Sequence, residues 1–344
     1  MISFLISAIK IIFLLGFLIG IHETGHFLIA KLCKVRVNEF AIGFGPVIWK
    51  KQGKETKYEL RLIPLGGFVN MEGEAEQSEK EGSFTKASIP RRIAIVAAGA
   101  LVNIIFAIIA FSIIISNRGY TETTISKLEP DTPAIESGLQ VGDKILTIDG
   151  ARVFTTTDVS MGIQLSKGDS VDLVVDRNGE KENITVTPRL IEQDGTQMYQ
   201  IGFYYTPVEN PTILESIRES FNETISLVTQ TFKSLKMMVT GNINFKTDVG
   251  GPVTIIKMSG QAAKNGLMTL TYFLGFISIN LAVFNLLPFP ALDGGWTVIL
   301  LIELITRRKV PDKVVGAANY VGFMILIGFM IVVTLKDILF PISL

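Results

Sequence analysis

Residues 11–30 read IIFLLGFLIGIHETGHFLIA, an apolar run that carries ionisable groups only at His22, Glu23 and His26. Twenty helical residues rise about 30 Å, the depth of the hydrocarbon layer of a bilayer, so the run predicts a membrane-spanning helix. Ionisable groups at that depth are costly unless something pairs with them. Positions 22 and 26 lie one turn apart on one helix face, so both imidazoles can reach a single metal ion. Glu23 sits beside them, placed to take a proton from water held at that metal. His22 and His26 are the only histidines in the chain. A buried pair satisfied by hydrogen bonds is the plain alternative, and it leaves the cost of the triplet unanswered.

Working outward, three more uncharged runs are long enough to cross: Ile93–Ile115, Leu267–Leu287 and Val315–Leu335. Four spans are expected in a chain of 344 residues that is 48% apolar and 19% charged. The 32 basic and 32 acidic side chains cancel, which gives no support for a nucleic-acid surface. The single cysteine, Cys33, excludes an internal disulfide, and with no neighbouring Cys or His it is a poor metal ligand. The charges are unevenly placed: residues 30–92 and 306–315 are net positive, by 4 and 3, and residues 117–269 are net negative by 5. The positive-inside rule then puts the two basic loops in the cytoplasm, and the middle segment and both termini outside. No small-residue cleavage site follows the first run, so it is not read as a removable signal peptide.

The third metal ligand has few candidates among the acids of the apolar segments: Asp293, Glu303 and Asp337. Asp337 falls at the far end of the last span, and Glu303 has Arg307 four residues on as a ready ion-pair partner. Asp293 lies in NLLPFPALDGG, residues 285–295, where prolines and glycines break a helix near membrane depth. Broken backbone there is tolerated only around a protein-lined or wet cavity, which favours Asp293.

The middle segment alternates short β-prone runs (KILTID, SVDLVVD, ENITVTP) with turns at Asp149-Gly150, Asn178-Gly179 and Asp194-Gly195. A short helix fits Thr132–Gly138. Residues 213–240 place apolar side chains on a helical period among charges. An amphipathic helix at the membrane surface or against the middle domain is preferred to a fifth span, which would invert everything after it.

The pattern PDTPAIESGLQVGDKILTIDG, residues 130–150, resembles a circularly permuted PDZ domain of bacterial membrane-associated proteases. HETGH in a first span joined to NLLPFPALDGG in a later one resembles the site-2 protease family of intramembrane zinc metalloproteases, in its regulator-of-sigma-E protease branch. Gly43-Phe44-Gly45-Pro46 and Pro64-Leu65-Gly66-Gly67-Phe68-Val69 fit the same pattern, as does the Gly99 to Asn103 stretch. The resemblance implies an α-helical integral membrane protein of four transmembrane helices with a membrane-associated β-hairpin and an inserted α+β PDZ domain. Its divisions are 1–116 (with the β-loop region at 37–92), 117–207 for the PDZ domain, 208–266 for amphipathic helix and connector, and 267–344.

The resemblance also implies Zn2+ on His22, His26 and Asp293, with Glu23 as the catalytic base. Gly43, Phe44, Gly45, Gly66, Gly67 and Asn285 would bind substrate. For the β-prone runs an ordinary cytoplasmic hairpin is the alternative, for Asn285 a helix-end cap, and for Gly99 and Asn103 simple helix packing. The implied function is regulated intramembrane proteolysis of single-span membrane proteins such as anti-sigma factors and signal-peptide remnants, trimmed beforehand by another protease. It would take place in the bacterial inner membrane, with the active site toward the cytoplasmic side. The PDZ unit would either capture a carboxyl terminus or exclude untrimmed ectodomains. A metal transporter would need polar residues along several spans, and a PDZ scaffold would need none of the four metal-site residues.

Overall fold

The computed structural model describes residues 2–74, 78–193, 196–241, 244–246 and 248–341. Two compact units emerge: the residues up to Ala107 with those from Ser234 on, and Ile108–Lys233. In chain order the elements are α1 (Ile2–Leu32), β1 (Val37–Gln52), β2 (Lys57–Met71), α2 (Ile89–Arg118), β3 (Tyr120–Leu128), α3 (Pro133–Glu136), β4 (Lys144–Ile148), β5 (Ala151–Arg152), α4 (Thr156–Leu165), β6 (Val171–Arg177), β7 (Glu180–Val186), β8 (Arg189–Gln193), β9 (Thr196–Gln200), β10 (Phe203–Val208), α5 (Ile213–Thr240), α6 (Pro252–Lys264), α7 (Leu267–Leu286), α8 (Asp293–Thr306) and α9 (Asp312–Leu339). The expected turn at Asp194-Gly195 lies outside the described residues.

Four of the described helices are long and apolar enough to cross a membrane: Ile12–Leu32, Ile89–Arg118, Leu267–Leu286 and Asp312–Leu339. The chain is a membrane protein of helices and sheets, and these are the runs read from the sequence, the second and fourth lengthened at both ends and the other two shifted by one or two residues. α8, at 14 residues, rises only about 21 Å and is too short to cross.

In the first unit, β1 and β2 form more than a simple hairpin. Phe40 stands opposite both Val69 and Tyr58, and Ile42 opposite both Gly67 and Leu60. The first part of β1 is therefore hydrogen-bonded on both edges, while its far part (47–52) pairs with 57–61. Residues 67–71 form one edge of this sheet, and their outer side is paired to no strand among the described residues. Val37, Val69 and Met71 pack with Ala30, Ile95 and Leu300 in one buried cluster, which holds the sheet against α1, α2 and α8.

Two buried polar joins fix the helices of this unit. Arg92 on α2 donates from Nη1 to Glu303 Oε2 on α8 at 3.1 Å, and Glu303 Oε1 accepts from the Val310 amide at 3.2 Å. The local Glu303–Arg307 pair expected from spacing does not form, because Arg307 leaves the helix in a left-handed conformation at φ 54°. Asp337 on α9 accepts from the amides of Gly251 and Thr254, capping the orphan donors at the start of α6.

In the second unit, a six-stranded sheet runs β10-β3-β4-β6-β7, with β5 beside β4. Its core is apolar: Ile125, Ile145, Val159, Leu173, Val175 and Ile201. Asp149-Gly150 and Asn178-Gly179 make the expected two-residue turns, all four residues at positive φ. α5 is inside-out for a helix in water. It buries Ser216, Ser220, Thr224 and Thr231 and turns Leu214, Ile217, Phe221, Ile225 and Phe232 outward. Ser112 on α2 donates to Ser220 at 2.8 Å, so small hydroxyl side chains make the close helix contact.

Candidate active site

The helical spacing of α1 does what the motif requires. His22 Nε2 and His26 Nε2 lie 3.2 Å apart, and Asp293 Oδ2 comes to 3.1 Å of the first and 3.4 Å of the second. Four zinc ligands at about 2.0–2.1 Å in a tetrahedron stand about 3.3–3.4 Å from one another, so these three atoms already have the spacing of a zinc face. Asp293 Oδ2 is buried without a hydrogen-bond donor, and it sits against two imidazole nitrogens whose remaining near neighbour is each other. A cation at the centre answers all three atoms at once.

The protons point the same way. His26 Nδ1 donates to the Ile95 carbonyl of α2 at 2.8 Å, which leaves Nε2 as a lone pair facing the site. The Asn103 amide lies 3.3 Å from His22 Nδ1, with its own Oδ1 buried and unpartnered. Turning that amide over gives Oδ1 the Nδ1–H of His22 and frees His22 Nε2 for metal, and the two orientations of an amide are otherwise equivalent. Asn103 is thus a positioning residue, where the sequence left helix packing as an equal reading.

α2 can come this close only because of Gly99. A methyl group there would stand 2.4 Å from His26 Nε2 and 2.7 Å from His22 Nε2. Asp293 is delivered by the break between α7 and α8. Ala291 takes a left-handed conformation at φ 73°, its amide donating at 3.1 Å to Asn319 Oδ1 on α9, and Asp293 then opens α8. The positive end of the helix dipole favours a carboxylate there.

These groups face a cavity of about 410 Å3 whose lining includes Glu23, Gly67, Phe68, Val69, Met71, Glu74, Asn285 and Trp296 with His22, His26 and Asp293. Glu23 meets β2 at Gly67, where a methyl would stand 2.9 Å from Glu23 Cγ. Asn285 opens into the cavity from the last turn of α7. Gly43, Phe44, Gly45 and Gly66 do not line it. Gly43 and Gly45 make the bend of β1 at φ 91° and 82°, and the Phe44 ring lies against Gly66. Glu74 and Trp296 were not singled out by the sequence, because neither belongs to a periodic pattern or a metal-ligand spacing.

The model of peptidase family M50 matches residues 10–329. A Clostridium perfringens protein named as a zinc metalloprotease is 50% identical over 325 residues, covering 94% of this chain and 96% of its own. A Clostridium acetobutylicum protein named likewise is 42% identical, covering 95% and 96%. The zinc metalloprotease RasP of Geobacillus kaustophilus is 29% identical over 420 residues, covering 98% of this chain and 99% of its own.

Proposed function

Since the chain belongs to peptidase family M50, the site-2 protease family, and is a zinc metalloprotease, we propose that it cleaves the membrane segments of single-span membrane proteins. One observation carries this reading. His22 stands inside the apolar stretch Ile12–Leu32, about 15 Å from its Leu32 end, so the metal site lies within a helix of membrane-crossing length, on the half of α1 that leads into the basic loop.

Zinc held by His22, His26 and Asp293 would supply Lewis acidity and a water of lowered pKa. Glu23 removes the proton from the attacking water and hands it to the leaving amine. A substrate helix has its amides bonded internally, so its carbonyls are unavailable until it unwinds. The unpaired edge of residues 67–71 offers replacement hydrogen bonds to an unwound strand, with Gly67 letting that strand lie against Glu23. Asn285 presents an amide donor to the scissile carbonyl or the oxyanion that forms from it.

The strands of residues 120–208 serve as a PDZ domain on the extracytoplasmic side, excluding proteins whose ectodomains are untrimmed. The outward apolar face of α5 suits lipid beside it. In this reading the enzyme lies in the bacterial inner membrane with both termini outside and its site toward the cytoplasm. Its substrates are anti-sigma-type regulators and signal-peptide remnants already cut by another protease, as in regulated intramembrane proteolysis.

The test is cleavage by the purified protein in liposomes, with the cut located by mass spectrometry. A single-span substrate cut within its membrane segment is the expected result. Cuts confined to water-exposed loops contradict the proposal.

A further inference from the structure

Glu74 follows β2 by three residues and lines the catalytic cavity. It also lines an adjoining cavity of about 230 Å3, and Trp296 is the other residue common to the two. That second cavity holds two cations and two other carboxylates, already matched: Arg92 with Glu303 at 3.1 Å and Lys309 with Asp312 at 2.9 Å. Glu74 has no such partner among the described residues. Among the described residues its side chain accepts one bond, from the Met71 amide to Oε2 at 3.2 Å. Burial pushes its carboxyl up to about 7. A carboxyl this poorly solvated and without a cation gains more from an arriving one than an exposed acid would.

We propose that Glu74 forms a cation subsite, taking a substrate lysine or arginine side chain that runs past Trp296 into the second cavity. The inference rests on the reading that an unwound substrate pairs with the free edge of residues 67–71. Gly67 abuts Glu23, so the scissile peptide lies beside it. From Gly67 to Met71 is four residues, about 13 Å of strand, which sets the cation about four residues or slightly more from the cut. Membrane segments carry Lys and Arg at their cytoplasmic boundary, so the class of substrate proposed above supplies such a side chain. Its aliphatic stem covers the Trp296 ring, and its charge meets both the ring face and the Glu74 carboxylate.

The test uses the full chain in liposomes and a set of single-span substrates in which one lysine is moved stepwise away from the mapped cut. Matched substrates carry glutamine or glutamate at each position. At one position the wild-type protein should prefer lysine over glutamine by about tenfold in kcat/KM, and over glutamate by more. Glu74→Gln should bring the lysine-to-glutamine ratio near one, and Glu74→Lys should turn the preference toward glutamate, both with zinc content unchanged. A lysine preference that survives in Glu74→Gln overturns the subsite, as does a uniform slowing with the ratio intact. Cleavage with no charge preference at any position overturns the subsite alone, whereas no cleavage of any substrate by the wild-type protein contradicts the proteolytic reading beneath it.

Discussion

Glu23→Gln retains its zinc and loses cleavage by about 10²–10⁴-fold, the usual worth of a positioned general base. The reason is local. Glu23 is not one of the three converging ligand atoms, which come from His22, His26 and Asp293. It lines the cavity beside them, against Gly67. Glutamine keeps the size of the side chain and its fit against β2 but cannot accept the water's proton. Metal analysis together with single-turnover cleavage checks the outcome. Full activity in this variant removes Glu23 from the chemistry, and loss of zinc along with activity makes it a ligand instead.

Gly99→Val is expected to empty the metal site. Even the first carbon of a side chain at 99 would lie 2.4 Å from His26 Nε2, with backbone-anchored rings on both sides and no flexible end to yield. Either the imidazoles turn away or α2 retreats and takes with it the Ile95 carbonyl and the Asn103 amide that orient them. Removing one supporting hydrogen bond costs metal affinity about 10–100-fold, and this substitution disturbs two such bonds and the ligands themselves. Gly328→Ala, where an added methyl meets nothing within 4 Å, is the matched control and should bind zinc normally. Metal titration of the two variants separates a crowded site from a general intolerance of helix substitutions.

The parts of the site that were legible in the sequence are those fixed by local geometry. His22 and His26 are one helical turn apart whatever surrounds them, and the break around Pro288 and Pro290 announces itself by composition. Two-residue turns at Asp149-Gly150 and Asn178-Gly179 are equally local. What the sequence hid depends on distant partners. Glu303 is four residues from Arg307 yet binds Arg92, 211 positions away, because the helix ends in a left-handed residue before the nearer pair can form.

α4 sits among β-branched residues and owes its start to Asp158 accepting from the Phe154 and Thr155 amides. The start of α6 carries a local signal in Pro252 at its first position, but its amides are capped by Asp337 from another helix, which no neighbouring residue announces. At Gly43, Phe44, Gly45 and Gly66 the structure adds a local reason for the glycines: positive φ in the bend of β1, and a Phe44 ring seated against Gly66.

The central claim is that one zinc ion is held by His22, His26 and Asp293, and metal content tests it most directly. The purified wild-type protein should carry about one zinc per chain, and the His22→Ala/His26→Ala double variant essentially none, since a single carboxylate cannot hold the ion. Undiminished zinc in the double variant would contradict the account.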